Sequence, residues 1–352
     1  MTLIKKIKKD YFNSPLNSIL TLLVIFLLTK VGIWFVNWAF INAVWVGDSA
    51  AVATKNGATW AFIVNKIRFF MFGFFPKDQI WRIIVAIVLI AMSMIPYFIK
   101  GIKYKIFIFA GHMLLWPLII FIMLSGGGIF EKVSTNDWGG LTLTIILSLL
   151  GLLYSFPIGV VLALSRRSEL PVIRGLSIAY IEFFRGIPLI TILFMSSVVV
   201  PFFLPEGVAI DKIVRVVIGM TFFQSAYLAE VIRGGLQAIP KGQYEAAESL
   251  GFRFGLQSYL IILPQVFKIT VSNIGGISIS FIKDTTLVLI IGMFDLLGIV
   301  NPLASDSNWL GMEPEGLIFA GIVYWLICYS ISRITDKAED KLNTLPESGD
   351  KK

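Results

Sequence analysis

Long apolar runs separated by short polar segments make up most of the chain. A helix needs about 20 apolar residues to cross the hydrocarbon core of a bilayer, and its backbone groups must be hydrogen-bonded within the segment. The runs that meet this requirement are residues 16–38, 80–99, 106–124, 140–164, 178–204, 213–232, 266–294 and 316–334. The pattern therefore predicts an all-α polytopic membrane protein with about eight transmembrane helices.

Composition agrees with an apolar environment. Hydrophobic residues make up 57% of the chain and charged residues 15%, whereas soluble domains carry about 25% charged residues. The net charge is +8, but the basic residues are spread among loops, which favours a role in membrane topology and argues against nucleic-acid binding. Cys328 is the single cysteine, so an intramolecular disulfide is excluded, and His112 is the single histidine. No cluster of residues has metal-ligand spacing, so we predict no metal site.

Loop charges predict the orientation of the spans. Lysine and arginine are concentrated near residues 5–9, 100–105, 166–174, 233–268 and after 333, which are alternate loops and both termini. Because cytoplasmic loops are enriched in these residues, the N- and C-termini are predicted to lie inside. The loop 41–79 opposes this bias with several basic residues. Its aromatic stretch 58–75 is either a helix in the outer membrane interface or a loop with aromatic anchors.

The polar features divide the chain into three parts. Residues 1–135 contain three spans, the outer loop 41–79 and no motif, and residues 136–335 contain five spans. Residues 336–352 form a charged tail on the cytoplasmic side. The loop 233–264, between the sixth and seventh spans, interrupts the most motif-rich part of the chain.

This loop predicts two short helices. Pro240 and Gly242 open the first, Glu245 lies in its first turn, where the helix dipole favours a negative charge, and Gly251 ends it in a left-handed conformation. Small residues at Ala246 and Ala247 would leave a shallow surface for another protein. A second, amphipathic helix over about 254–262 is followed by Leu263-Pro264, where proline marks a change of direction.

The spacing of these residues resembles the coupling loop of ABC importer permeases. Other motifs resemble polar amino-acid permeases: Gly140-Leu-Thr-Leu-Thr144, Arg166-Arg-Ser168, Tyr180-Ile-Glu-Phe-Phe-Arg-Gly-Ile-Pro-Leu189, Ala226-Tyr-Leu-Ala-Glu-Val-Ile-Arg-Gly-Gly-Leu236, Lys241-Gly-Gln243 and Lys283-Asp-Thr-Thr-Leu287. The three additional spans, Ser168-Glu-Leu-Pro-Val-Ile173 and Phe294-Asp-Leu-Leu-Gly-Ile-Val300 are similar to the longer permease subunit of general L-amino-acid ABC transporters. Thr286 departs from the serine of many relatives but keeps the hydroxyl.

The resemblance implies a five-helix type I ABC importer core that carries L-amino acids in a bacterial inner membrane. It implies that the ATPase-coupling residues are Gly242, Glu245, Ala246, Ala247, Gly251, Leu263 and Pro264. The implied partners are a dimer of ABC ATPase subunits holding ATP and Mg, a second and shorter permease in a heterodimer, and a periplasmic amino-acid-binding protein. Because the chain lacks a Gly-x-x-x-x-Gly-Lys-Ser/Thr loop, we expect it to carry no cofactor and ATP hydrolysis to occur on the separate ATPase.

Charged residues within the spans should face protein or water, because an ion at mid-bilayer costs at least about 2.5–3.5 kcal/mol. Glu182, Arg185, Glu230 and Arg233 are interpreted as structural charges that fix helix packing, and three-residue spacing places Glu182 and Arg185 on one helix face. Lys283, Asp284, Thr285 and Thr286 are candidates for the translocation pathway or its gate. A packing role for Lys283 and Asp284 stays equally open.

Two other functions remain open at this stage. An ion-coupled secondary amino-acid transporter would explain charges in the membrane, but it predicts an inverted repeat that the sequence does not display, and it leaves the loop 233–264 unexplained. A non-transporting membrane scaffold would explain the additional N-terminal spans, but neither Lys283-Asp284 nor the coupling pattern.

Overall fold

The computed structural model describes residues 7, 10–54, 56–99 and 105–343. Within these residues the chain is helical and forms no strand, apart from two isolated bridges, Val44 with Thr59 and Gly140 with Asp295. The basic residues 5, 6, 8, 9, 100 and 103 of the topology prediction lie outside the described residues. Residues 344–352 of the predicted tail also lie outside them.

Fourteen α-helices can be named along the described part of the chain. They are α1 Pro15–Val36, α2 Ala61–Phe72, α3 Ile80–Ser93, α4 Ile95–Phe98, α5 Lys105–Ile120, α6 Gly140–Ser165, α7 Pro171–Gly186, α8 Leu189–Phe194, α9 Lys212–Ala238, α10 Lys241–Ser249, α11 Phe254–Gln257, α12 Leu263–Asp284, α13 Val300–Ala304 and α14 Glu313–Asn343. π-Helical turns cover Asn37–Ile41, Phe121–Ser125, Met195–Val199 and Ser258–Ile262. 3₁₀ turns cover Ala50–Val52, Lys77–Gln79, Thr135–Asp137, Val200–Phe203 and Thr285–Ile291.

Seven helical segments of the described chain are long and apolar enough to cross a bilayer, and a bent pair would make eight. The seven are Pro15–Ile41, Lys77–Tyr97, Lys105–Ser125, Gly140–Ser165, Lys212–Ala238, Phe254–Ile291 and Glu313–Leu342. Each corresponds to a span predicted from the sequence, so the predicted fold class is confirmed.

The fifth predicted span, 178–204, is not one straight helix. Pro171–Gly186 and Leu189–Phe203 meet at an angle of 101°. The break falls at Ile187 and Pro188, whose backbones are extended with ψ near 134° and 139°. Because a residue preceding proline is sterically driven out of the helical region, Ile187 ends α7 and the chain restarts as α8 in another direction.

The described chain divides into two compact units, and the predicted boundaries at residues 135 and 335 stay predictions. The smaller unit comprises residues up to 67 together with 301–319. Inside it, the Lys66 ammonium contacts the Asp306 carboxylate at 2.6 Å, and the Thr59 N–H donates to Glu315 Oε1 at 2.9 Å. Phe62 is fully buried beside Trp309. The N-terminal part of α2 is therefore a packed helix, which agrees with the helical interpretation of the outer loop.

The larger unit comprises residues 68–300 and 320–352 and contains the main apolar core, built around α6 and α9. Where α6 begins, Gly140 has a φ of +59° and approaches the backbone of α2 closely. A Cβ atom there would lie 2.4 Å from the Phe70 carbonyl oxygen, so only glycine fits. The start of α6 is thus fixed by backbone contact.

A second apolar group, called here the loop-side cluster, packs the opposite ends of these helices. Its buried members are Ala163, Ile181, Ala229, Ile232, Leu236, Ile239, Ile262 and Val266. They come from α6, α7, α9, the π turn before α12 and α12 itself. This cluster places the 233–264 loop against the ends of the central helices.

Two polar residues hold the additional N-terminal helices together. Arg82 is almost fully buried in α3 and donates to the carbonyl oxygens of Leu124, at 3.2 Å, and Glu131, at 3.0 Å. It therefore satisfies the Leu124 carbonyl group, which is left free at the end of the π turn after α5, and joins this turn to Glu131 in the following segment. His112 is stacked on Trp116 and contacts the Ser93 carbonyl oxygen at 3.0 Å, so it is a packed histidine.

Candidate functional site

The first helix of the loop is α10, which begins at Lys241 directly after Pro240. Its first turn contains no acidic residue, because Glu245 is the fifth helical residue. The prediction that Glu245 interacts with the helix dipole from the first turn is therefore wrong. The reason is that α10 begins at Lys241, before Gly242, so that Glu245 falls in the second turn.

The faces of α10 have different surroundings. Gly242, Glu245 and Ala246 are exposed, whereas Tyr244 is half-buried against the loop-side cluster and Ala247 is 1% exposed. Residues three apart share a helix face, so Tyr244 and Ala247 point inward together. The predicted surface is thus formed by Ala246 without Ala247, which is required to be small because it is enclosed.

Gly251 ends α10 as predicted. Its φ is +78°, in the left-handed region, and its N–H donates to the Glu248 carbonyl oxygen at 2.8 Å. The next N–H, of Phe252, donates to the Ala247 carbonyl oxygen at 3.1 Å, which completes a Schellman-type cap. A Cβ atom at Gly251 would meet no heavy atom within 4 Å, so this cap faces open space.

The second part of the loop departs from the prediction. A continuous helical segment runs from Phe254 to Ile291, and Pro264 lies inside it, so Pro264 does not mark a change of direction. The π-helical turn Ser258–Ile262 precedes Pro264 directly and alters the hydrogen-bond register where proline has no N–H to donate. Leu263 is buried and Pro264 is exposed.

Arg167, just after α6, attaches α10 to the central helices. Its Nη1 lies 2.6 Å from the Tyr244 hydroxyl and 3.2 Å from the Leu236 carbonyl oxygen near the end of α9. The guanidinium also lies over the Tyr244 ring, 5.0 Å from its centroid. Gln257 donates to the Tyr244 carbonyl oxygen at 2.9 Å and connects α11 to the same helix. Arg167 belongs to the Arg166-Arg-Ser168 motif, but the sequence pattern alone predicts no contact for it.

The structural charges form one network centred on Glu230 in α9. Its carboxylate contacts Arg166 at 2.7 Å, Arg233 at 2.9 Å and Arg185 at 3.3 Å. Within the described residues, Glu182 forms its ion pair with Arg166, at 3.3 Å, rather than with Arg185 on its own helix. Three arginines and two glutamates therefore join the ends of α6, α7 and α9. Arg166 is the member to which sequence reasoning gave no role, because its partners are distant in the chain.

The predicted pathway residues lie where α12 changes into a 3₁₀ turn after Asp284. Lys283 is exposed, Asp284 and Thr286 are partly exposed, and Thr285 is fully buried. The Thr285 hydroxyl donates to the Ile282 carbonyl oxygen at 2.7 Å and lies 3.3 Å from the Tyr324 hydroxyl. Thr285 is therefore enclosed by this chain, whereas Lys283 is exposed.

Asp295 is a buried carboxylate that sequence reasoning did not single out. It lies between the last two candidate spans and accepts hydrogen bonds from the Tyr324 hydroxyl at 2.6 Å and the Gly298 N–H at 2.8 Å. Burial raises the pKa of Asp295, and these hydrogen bonds offset part of that rise. Its position after a predicted span gave no sign that α14 would cover it. Among the described residues, no group of three or more His, Cys, Asp and Glu is arranged to hold a metal ion.

Comparison with known proteins agrees with this architecture. Residues 155–343 match the family model for the binding-protein-dependent transport system inner membrane component. The inner membrane amino-acid ABC transporter permease protein YhdY of Escherichia coli (strain K12) is 46% identical over 339 residues, covering 96% of this chain and 92% of the relative. The glutamate/glutamine/aspartate/asparagine transport system permease protein BztC of Rhodobacter capsulatus is 34% identical over 412 residues, covering 96% and 93%.

A solved structure matches more than half of this chain. A chain from a crystal structure of an amino acid ABC transporter with histidines is 28% identical, with a TM-score of 0.51 over 57% of this chain and 92% of that chain. Its long apolar helices and its similarity to an inner membrane permease together show that the protein is a multi-pass inner membrane protein. The chain belongs to the family of binding-protein-dependent transport system inner membrane components.

Proposed function

We propose that this chain is a transmembrane permease subunit of an ATP-driven, binding-protein-dependent importer of L-amino acids. Two observations together carry the proposal: the chain belongs to the family named above, and it presents the exposed helix α10 at the ends of the central helices. Helix α10 has a capped end and small residues that face outward. Both named relatives are amino-acid permeases, and this chain aligns with almost the whole length of each, which supports the substrate class.

The coupling role follows from the physical requirements of such a machine. ATP on another chain changes a membrane gate only if the two states of the ATPase make different contacts with this chain. In the proposed orientation, with both termini inside, α10 faces the cytoplasm, and Gly242, Glu245, Ala246 and Gly251 are its exposed contact residues. Ala247, Leu263 and Pro264 support them from the helix body and the following segment.

The proposed assembly contains four kinds of chain. Two ATPase subunits hold ATP and Mg on the cytoplasmic side, a second and shorter permease forms the other half of the pathway, and a periplasmic amino-acid-binding protein delivers the substrate. This chain binds no nucleotide in the proposal. Its own contributions are half of the translocation pathway and the contact that transmits ATPase closure.

The importer proposal is tested by uptake in proteoliposomes holding the complex isolated through a tag on this chain, together with its binding protein. We expect radiolabelled L-amino acids to accumulate with ATP on the cytoplasmic face, and not with a non-hydrolysable ATP analogue. Dissipating ion gradients with ionophores should leave ATP-dependent uptake intact. Uptake that needs no ATP and collapses with an ion gradient would instead establish the ion-coupled secondary transporter.

A separate prediction concerns the candidate pathway residues where α12 changes into a 3₁₀ turn. Lys283→Gln removes a charge that faces outward from α12. We expect uptake to fall about three-fold, a loss within the range that one polar contact usually contributes. Thr285→Val is the matched control, because its hydroxyl bonds inside the chain. It should lower thermal stability by about 1 kcal/mol and leave the KM of uptake unchanged. A changed KM for Thr285→Val, with normal kinetics for Lys283→Gln, would reverse the assignment.

A further inference from the structure

Helix α10 is joined to the ends of α6 and α9 through a small polar centre around Arg167. We infer that Arg167, held on Tyr244, is a positioning residue that makes α10 move together with the ends of α6 and α9. This inference rests on the proposed coupling function and names the residue pair that carries the movement into the membrane helices. It assigns a role to two residues outside the contact surface itself.

Helix α10 is not closely packed against the end of α6. Its backbone packs mainly on residues 254–262, which follow it in the chain. Two hollows lie beside it, of about 630 and 510 Å³, and Arg167 and Glu248 line both. Close packing therefore does not fill the space between α10 and the end of α6, and side-chain contacts must join them.

The side chains of Arg167 and Tyr244 and the Leu236 carbonyl group contact one another directly. One Arg167 nitrogen reaches both the Tyr244 hydroxyl, at 2.6 Å, and the Leu236 carbonyl oxygen, at 3.2 Å. The Tyr244 hydroxyl itself donates to the same carbonyl oxygen at 3.2 Å. Three elements thus meet at one point: the segment after α6 through Arg167, the C-terminal part of α9 through Leu236 and the middle of α10 through Tyr244. A charged donor makes these hydrogen bonds stronger than neutral ones, and the planar guanidinium adds a stacking contact on the ring.

The Tyr244 side chain points towards the central helices. Tyr244 lies on the inward face of α10, with its ring against the loop-side cluster contributed by α6, α7, α9 and α12. Its backbone carbonyl oxygen accepts from the buried Gln257 in α11. A displacement of α10 along its contact with an ATPase therefore moves the Tyr244 ring within that cluster. Arg167 prevents the ring from sliding past the end of α6, because it holds both the hydroxyl and the ring face.

The matched variants separate this role from a docking role. Arg167→Leu removes the charge and all its hydrogen bonds, Arg167→Lys keeps the charge without the planar fork, and Tyr244→Phe removes only the hydroxyl. Arg174→Leu is the control. Arg174 is exposed near the start of α7, and its side chain has no hydrogen bond or ion pair within the described part of the chain.

The experiment measures amino-acid uptake and ATP hydrolysis on the same proteoliposomes, and ATPase attachment by co-purification. For Arg167→Leu we expect the complex to assemble and hydrolyse ATP, while substrate carried per ATP falls about five-fold, at the lower end of ordinary coupling between two sites. Tyr244→Phe should lower the ratio less, Arg167→Lys should restore part of it, and Arg174→Leu should match the wild type.

Several outcomes would overturn the inference. A wild-type ratio in Arg167→Leu means that Arg167 transmits nothing, and loss of ATPase from a stable variant means that it only shapes the docking surface. If Arg167→Leu does not fold, a wild-type ratio in both Tyr244→Phe and Arg167→Lys overturns it equally. Failure of the wild-type complex to show ATP-dependent uptake refutes the proposed function instead, so the two failures are distinguishable.

Discussion

Replacing Gly251 with asparagine should reduce ATP-dependent uptake at least about ten-fold while the chain remains folded and inserted. Asparagine tolerates the left-handed backbone that Gly251 adopts, so the cap of α10 should survive. A Cβ atom at this position meets no heavy atom of this chain within 4 Å, and in the proposed assembly the side chain would project towards the ATPase. Loss of a central interface contact costs about 2 kcal/mol or more, which corresponds to more than a ten-fold loss of affinity. Uptake and co-purification of the ATPase are the measurements.

Gly207→Asn provides the control for backbone effects. Gly207 also has a positive φ, +83°, and a Cβ atom there would likewise meet no heavy atom within 4 Å. It lies in the loop between α8 and α9, away from the 233–264 loop in the sequence, so its substitution should leave ATPase attachment unchanged. Equal losses of attachment in both variants would mean that backbone strain, and not an interface, explains the effect. Normal uptake in Gly251→Asn would refute the contact assignment.

Features encoded within one segment were predictable from the sequence. The spans follow from runs of about 20 apolar residues, and Gly251 follows from a helix that needs a left-handed residue at its end. The errors in the loop concern single turns. The sequence predicts Glu245 one turn too early in α10, and it predicts a bend at Pro264 because the π turn before α12 has no clear sequence signal.

Features that depend on residues far apart in the chain were not predictable. The pairing of Arg166 with Glu230 joins positions 64 residues apart, and that of Arg167 with Tyr244 joins positions 77 apart. A three-residue spacing suggested that Glu182 and Arg185 would share a helix face, but each has its ion pair with a residue from another helix. Likewise, the burial of Ala247 depends on how α10 rests on the loop-side cluster. One sequence specifies such contacts only through the folded arrangement.

Replacing Glu230 with glutamine is expected to destabilise the protein by about 2–3 kcal/mol. Glu230 is the common partner of Arg166, Arg185 and Arg233, and only 16% of its side chain is exposed. Removing one partner of a fully buried ion pair costs about 3–5 kcal/mol, and residual solvent contact lowers that figure here. Three guanidinium groups would then face a neutral amide at the ends of α6, α7 and α9. The midpoint of thermal unfolding in detergent should fall by about 3–4 °C, because a chain of this length has a large entropy of unfolding.

Glu182→Gln separates the hub from an ordinary ion pair. Glu182 forms one ion pair within the described residues, with Arg166, and 58% of its side chain is exposed, so its loss should cost at most about 1 kcal/mol. The double substitution Glu230→Gln with Arg166→Gln removes one of the three arginines that lose Glu230 as a partner, so it should be less destabilising than the sum of its two single substitutions. Equal stability of Glu230→Gln and Glu182→Gln would show that Glu230 is not the centre of the network. Strict additivity in the double variant would show that Arg166 and Glu230 act independently, and the ends of α6 and α9 would then be held by the apolar loop-side cluster alone.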